Sequence, residues 1–225
     1  FWAGSGLEKV KLNGSAAGRF EARNSIIQGL ASIEPSNTND VIDIDETSFD
    51  TNPYFSDLGS IDLTLKNYSP AIGYGSANKS LTPDDIDSTA VNLDLNSASR
   101  PSGNDPDIGA YENSLNSPAN APPLIDAISD LTITEDSDET TVNLSGIADG
   151  DYHSSQTISL TASSADASKI PDPTVTYTSA ESTGSITFTP ATNANGNVIL
   201  SVQLSDNGGT DNGGLDTRIA NINVS

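Results

Sequence analysis

The sequence contains no cysteine and no methionine, and it has one histidine and one tryptophan among its 225 residues. Without cysteine there is neither a disulfide framework nor a thiolate metal site, so packing, backbone hydrogen bonds or oxygen-bound ions must hold the fold together. The single histidine, His153, lies in a polar turn, which gives little support to a nucleophile–base triad. We therefore expect this chain not to be an enzyme.

Basic residues are also scarce. Nine Lys and Arg oppose 31 Asp and Glu, which gives a formal net charge of -22. Such a charge repels nucleic acid and anionic membranes and makes divalent cations the natural partners. No stretch approaches the roughly 20 apolar residues of a membrane span, so no membrane insertion is expected. No signal peptide is visible, and because the first residue is Phe rather than Met, we expect a piece of a longer protein.

What the chain does have is an abundance of Gly, Ser, Thr, Asn and Asp, with 34% hydrophobic and 5% aromatic residues. This mixture is poor in helix formers and rich in turn formers, so it predicts an all-β protein. Prolines cluster between two strand-rich regions, and no helix or central strand accepts them there. We predict a domain over 1–115, a linker over 116–123 and a second domain over 124–225.

Short β-prone runs separated by polar turns fill the first half. They are "KVKL" (9–12), "RFEA" (19–22), "NSIIQG" (24–29), "DVIDID" (40–45) and "SIDLTL" (60–65). Alternation of apolar residues within several runs predicts strands with one buried face. The stretches "FWAGSG" and "IIQGLAS" repeat one pattern at an offset of about 25 residues, within the range expected of solenoids.

Four motifs of this half resemble the C-terminal end of bacterial right-handed parallel β-helix proteins of the pectin-lyase-like type. They are "NSI" (24–26), "NPYF" (52–55), "DLTL" with "SPAIG" (62–65 and 69–73) and "RPSGNDPDIGAYE" (100–112). The resemblance implies that 1–115 comprises terminal rungs and their cap. Asn52 and Gly73 stand where that family has aspartates. Since only about two rungs precede the cap, and a solenoid needs roughly three repeats, we expect more rungs upstream.

The second half carries seven short alternating runs, a pattern typical of a β-sandwich. They are "LTIT" (131–134), "TVNL" (141–144), "TISLTA" (157–162), "TVTYT" (174–178), "SITFT" (185–189), "NVILSVQLS" (197–205) and "IANINVS" (219–225). In the sixth, Val198, Leu200, Val202 and Leu204 are the predicted inward set. The whole half is similar to the tandem immunoglobulin-like, cadherin-like repeats of large bacterial surface proteins.

Three acidic clusters follow strands of this half, and Ca²⁺ is bound by 6 to 8 oxygen ligands of this kind. By the resemblance to cadherin-like repeats, such acids and the Asn-Ala-Pro segment gather at domain ends and bind calcium. The candidate ligands are Asn120, Glu135, Asp136, Asp149, Asp151 and Asp206. The alternative is that these residues only shape turns, because Asp and Asn hydrogen-bond their own backbone and tolerate left-handed conformations.

Other polar and aromatic residues of the first half have plainer explanations. An acidic loop (Asp84, Asp85, Asp87 and Asp94, with Asp105 and Asp107 nearby in sequence) is predicted to be solvated charge. Asp87-Ser88-Thr89 looks like an O-glycosylation motif of Bacteroidetes surface proteins. The aromatic residues are expected to pack in the core or cap rather than stack on sugars; they are Trp2, Tyr54, Tyr68, Tyr74 and Tyr111. Arg19, Arg23 and Lys11 are weak candidates for a lyase base.

Taken together, the sequence favours a stalk or spacer segment of an adhesin, extracellular or at the cell surface, with neighbouring domains of the same longer chain and a glycan or surface protein as partners. The alternatives are the accessory C-terminal region of a secreted β-helix polysaccharide lyase or other carbohydrate-active enzyme, or a glycan-binding module. Fold resemblance does not choose among them.

Overall fold

A computed structural model describes residues 19–22, 41–44, 51–57, 59–60, 62–75, 93–103 and 105–225. This part of the chain is mostly β, which confirms the all-β prediction. Its ten strands are β1 Arg19–Ala22, β2 Val41–Ile44, β3 Phe55–Asp57, β4 Asp62–Leu65, β5 Thr140–Ser145, β6 Ser159–Ser164, β7 Thr174–Thr176, β8 Thr183–Phe188, β9 Val198–Ser205 and β10 Thr217–Val224. A 3-10 turn at Asp211–Gly213 is the only helical element in the described ranges. No helix among these residues is long and apolar enough to cross a membrane.

The chain divides into two compact units, residues 1–119 and 120–225, and the division falls within the segment predicted as the linker. In unit 1, β1 and β2 pair in parallel, with Arg19 opposite Val41 and Ala22 opposite Ile44, a constant offset of 22 residues. β3 and β4 form an antiparallel pair with a register shift between Phe55 and Asp57. The predicted runs at 9–12 and 24–29 lie outside the described residues.

A small core supports the segment between β4 and Gly75. Its buried residues come from the end of β4, from "SPAI" (69–72) and from "DIG" (107–109). They are Leu65, Ala71, Ile72 and Ile108, with Phe55 and Leu115 packed against them. The Ile108 N–H donates to the Ala71 carbonyl at 2.9 Å, which ties the two sequences together. Asn52 Oδ1 accepts the Tyr54 N–H at 2.8 Å, so this Asn makes a local turn that an Asp could also make.

Unit 2 consists of two three-stranded antiparallel sheets, with the orders β10-β9-β6 and β5-β8-β7. Inward side chains from both sheets form one common core. The predicted inward set of β9 is confirmed, because Val198, Leu200, Val202 and Leu204 are all buried. Alternating apolar and polar residues therefore placed this strand correctly.

The first predicted strand of this half, "LTIT", is not a full strand. Only Leu131 forms a bridge, parallel to Val224 at the C-terminal end of β10, and Ile133 N–H donates to the Ser225 carbonyl at 2.9 Å. The Asn223 N–H donates to the Asp130 carboxylate at 2.9 Å instead of to a backbone carbonyl. This side-chain bond lies directly before the predicted run, on the N-terminal side of the Leu131–Val224 bridge.

Candidate functional site

Four of the six predicted ligands lie together at one end of unit 2. The chain enters the unit at Asn120, whose carbonyl accepts the Leu215 N–H at 3.0 Å. Its side-chain Nδ2 donates to Asp206 Oδ1 at 2.8 Å, and Asp206 directly follows β9. Hydrogen bonds of Asn120 thus anchor the entry segment to the connection between β9 and β10. We call this group, with Asp149, Asp151 and Gln156, the domain-end cluster.

Gln156 links the remaining members of the cluster. Its backbone N–H donates to Asp149 Oδ2 at 2.8 Å, and its Nε2 donates to Asn120 Oδ1 at 2.6 Å and to Asp151 Oδ2. The Ala121 N–H donates to Asp151 Oδ1 at 3.2 Å. Gln156 was not among the predicted ligands, because its amide lies beyond the acidic motif, separated from it by a polar turn. Gln156 is nevertheless the residue that connects both aspartates of the "DGD" motif to Asn120.

Burial and mutual repulsion disfavour the charged form of a carboxyl group in the domain-end cluster. Burial raises the pKa of Asp151, and the negative charges of Asp149 and Asp206 raise it further, while the Ala121 N–H opposes the shift. Among the described residues, the donors that reach these carboxylates are neutral amides, which leave their negative charge uncompensated. A bound cation would remove the repulsion that raises the pKa of Asp151.

Two buried oxygen atoms of the cluster have no hydrogen-bond partner among the described residues: Gln156 Oε1 and Asp206 Oδ2. Buried acceptors without a donor are costly, typically about 1–3 kcal/mol each. Rotating the terminal amides of Gln156 and Asn120 by 180° would replace N–H donors with carbonyl oxygens facing the carboxylates. The residues present therefore fit a hard cation such as Ca²⁺ in chemical type.

The present arrangement is not that of a formed metal site. Within the described ranges, no three His, Cys, Asp or Glu side chains converge closely enough to hold an ion. Amide N–H groups occupy the positions that a cation would need. Occupation would require the amide rotations above and closer approach of Asp149, Asp151 and Asp206.

The other two predicted ligands lie at the opposite end of unit 2. Glu135 lines a pocket of about 120 Å³ beside Val198 and Ser225, and Asp136 Oδ1 accepts the Asn193 N–H at 2.7 Å. Val198 begins β9 and Asp206 follows its end, so roughly 25 Å of extended strand separates the two ends. The six candidates therefore cannot coordinate one ion. Asp136 has a φ of 57°, the left-handed conformation named in the alternative explanation.

A second polar cluster closes unit 1. Asp107 is 1% exposed, and its two carboxylate oxygens accept the N–H groups of Gly73 at 2.7 Å and Asn113 at 2.6 Å. Burial raises the pKa of Asp107 to about 6, with the two N–H donors opposing this rise. The expectation of solvated loop charge is thus wrong for Asp107. Asp94 is also engaged, because its Oδ2 accepts the Glu112 N–H at 3.1 Å.

Arg100 and Glu112 complete this second cluster. Arg100 Nε lies 3.3 Å from Glu112 Oε1, an ion pair in which the Glu112 side chain is 1% exposed. The Arg100 guanidinium also donates to the carbonyls of Gly109 at 2.8 Å and Asp107 at 2.6 Å. These contacts tie the closing motif to itself and to Gly73, Asp94 and Asn113, so we call the cluster a structural clasp.

Tyr54 and Tyr68 pack against protein groups, whereas Tyr74 is 40% exposed, so the expectation of core or cap packing is wrong for Tyr74. Tyr54 and Tyr68 form an edge-to-face pair at 5.1 Å, and Lys66 Nζ lies 5.9 Å from the Tyr68 ring. His153 packs edge-on against Tyr152 at 5.0 Å. Trp2, Lys11, Arg23, Asp84, Asp85 and Asp87 lie outside the described residues, as do Ser88 and Thr89.

Comparison with protein-family models, with curated proteins and with solved structures found no match.

Proposed function

We propose that this chain is a non-catalytic structural and adhesive segment of a large secreted or cell-surface bacterial protein. In this proposal unit 1 contains the last rungs and cap of a parallel β-helix, unit 2 is an immunoglobulin-like repeat, and the chain acts as a stalk or spacer. Ca²⁺ at the domain-end cluster would stiffen it. The observation that carries the calcium step is the pair of buried, unpartnered oxygens on Gln156 and Asp206.

Two features of the fold support the architectural part. The 22-residue offset between β1 and β2, paired in parallel, is the spacing of one solenoid turn. Two antiparallel sheets that share one core are the layering of a β-sandwich. Strongly acidic, cysteine-free domains of this kind stay soluble without disulfides, which suits an extended extracellular stalk.

The clasp of unit 1 also supports a structural role. Its partly buried Arg100 and the buried side chains of Asp107 and Glu112 are all engaged by backbone groups or by each other. A terminal rung leaves an unpaired edge that must be covered. A closing segment held by such contacts is what a capped solenoid requires.

Thermal unfolding with excess Ca²⁺ and with excess chelator tests the calcium step. A ligand that binds only the folded state raises its stability by RT ln(1 + [L]/Kd), about 2.7 kcal/mol at 100 times Kd. We expect Ca²⁺ to raise the melting temperature of the wild type but not that of Asp206→Asn. Asp138→Asn removes the same charge from an exposed position outside the cluster and should keep the full shift.

If Ca²⁺ raised the melting temperatures of Asp206→Asn and Asp138→Asn equally, the domain-end site would be rejected. No response in any variant would leave the acids as turn residues and the stalk free of metal. Small-angle scattering tests the stiffening separately, since the proposal predicts a narrower distribution of dimensions with Ca²⁺ than with chelator. An unchanged distribution would remove the stiffening role even if the ion binds.

A further inference from the structure

The connection between β9 and β10 contains the same four residues twice in succession. The sequence "DNGGTDNGG" places one copy at 206–209 and the other at 211–214. Each copy contains an Asn-Gly step. In such a step the glycine backbone nitrogen can attack the Asn side-chain carbon, because glycine has no Cβ to obstruct the approach. The two copies therefore offer the same intrinsic chemistry in two structural settings.

The first copy is held in place by the domain-end cluster. Asn207 Oδ1 accepts the Thr157 N–H at 2.9 Å, which fixes the side-chain amide. The Gly208 N–H, which would have to attack, donates to Asp206 Oδ1 at 3.0 Å. A side chain at Gly208 would collide with Asn120 and Gln156, so its backbone is closely packed. Both reacting groups of this copy are engaged.

The second copy has a different setting. Asn212 and Gly213 both have positive φ, 56° and 82°, and the Gly214 N–H donates to the Asp211 carbonyl at 3.0 Å. This is the arrangement of a type I′ turn, for which Asn-Gly is the favoured pair. Residues 211–213 are exposed, and among the described residues no hydrogen bond engages the Gly213 N–H. The attacking nitrogen is available, and the two glycines that follow Asn212 allow the backbone to rotate.

We infer that Asn212 is a site of spontaneous modification, at which the side-chain amide is converted to a carboxylate, and that Asn207 is protected from it. The Gly213 nitrogen forms a bond to Asn212 Cγ and loses its proton, while the Cγ–Nδ2 bond breaks and ammonia leaves. Water then opens the resulting succinimide at either carbonyl, which yields aspartate or isoaspartate. The reaction needs no metal and no oxidant, so it is independent of the calcium proposal.

The modification adds a negative charge to the acidic end of unit 2 and, in the isoaspartate form, one methylene to the backbone. Asp206 of the first copy belongs to the domain-end cluster, and Gly214 of the second copy packs against Asn120. The modified residue therefore lies two positions from a glycine that touches the cluster. A third described Asn-Gly step, Asn195–Gly196, lacks the preceding aspartate and is not a matched comparison.

The test incubates the full chain in mildly alkaline buffer with chelator, followed by digestion on the amino side of aspartate. This cleavage separates residues 206–210 from residues 211–215, two peptides that differ only in their last residue. Mass spectrometry against isotope-labelled standards then follows the loss of each unmodified peptide. We expect the Asn207 peptide to react about tenfold more slowly, because the Gly208 N–H must first leave Asp206 Oδ1, whereas no hydrogen bond engages the Gly213 N–H among the described residues.

The same measurement in urea is the control, because unfolding removes the structural difference and should make the two rates equal. Asn212→Gln should abolish the loss at the second copy and leave Asn207 protected. Equal rates in the folded protein would overturn the inference, and so would a preference for Asn212 that persists unchanged in urea. Absence of conversion at Asn212 on the time scale of the unfolded chain would also reject it.

Discussion

Raising the pH from about 4 to about 7 should weaken unit 1 through one buried carboxyl group, that of Asp107. Its pKa is about 6 in the folded protein, compared with 3.8 for the free side chain, which we take for the unfolded state. The folded state therefore binds this proton more tightly than the unfolded state. The stabilising contribution is complete below pH 3.8 and is lost as the pH rises through about 6. The loss amounts to about 3 kcal/mol, and it needs no discount for solvent because the side chain is 1% exposed.

Urea unfolding at a series of pH values measures this loss. The readout must report unit 1 alone, because the raised pKa of Asp151 gives unit 2 a pH dependence of the same sign. Amide hydrogen exchange of peptides covering residues 62–75 and 105–113 provides such a readout. Those peptides include Gly73 and Asn113, whose N–H groups bind the Asp107 carboxylate.

Asp107→Asn should remove most of the pH dependence between about pH 4 and 6, because the titrating group is gone. Asp105→Asn is the matched control, since Asp105 is exposed and lies two positions away in the same segment. It removes the same charge and should keep the slope. A wild type whose stability is flat across this range would refute the reasoning, as would an Asp107→Asn variant with an unchanged slope.

Two further substitutions test packing. Gly73→Ala should destabilise unit 1 more than Gly109→Ala in urea unfolding. Both glycines have positive φ, but only at Gly73 would the new methyl group meet a backbone carbonyl, that of Asn116. Equal losses of stability would show that backbone strain alone matters. In β9, Leu200→Ala should lower the free energy of unfolding of unit 2 by about 2–5 kcal/mol. Ile199→Ala should lower it far less, since Leu200 is 0% exposed and Ile199 is 49% exposed. Similar losses would contradict the assigned strand faces.

Local patterns predicted the strands well, because each depends on residues close in sequence. The run at 219–225 overlaps β10, and the run at 185–189 overlaps β8. The run at 131–134 forms only one bridge, between Leu131 and Val224. Asp130 takes the Asn223 N–H across 93 positions, and periodicity within "LTIT" contains no information about that bond.

The candidate sites show the same division between local and distant information. Acids after strands indicated a domain-end cluster, and Asn120, Asp149, Asp151 and Asp206 do share one network. Which end of the unit each acid occupies depends on strand order, so the local sequence could not show that Glu135 and Asp136 lie at the opposite end from the other four candidates. Gln156 was missed for the same reason, since its value comes from contact with Asn120, 36 positions away.

Charge is distributed unevenly over unit 2. Its six strands contain a single charged residue, Arg218, and all its carboxylates lie in the connections. Like charges paired across a sheet are destabilising, so this arrangement spares the strands but concentrates repulsion at the ends. At the domain-end cluster the carboxylates receive only neutral N–H donors, and Asp206 Oδ2 receives none among the described residues. A divalent ion is the ligand that would lower this repulsion most.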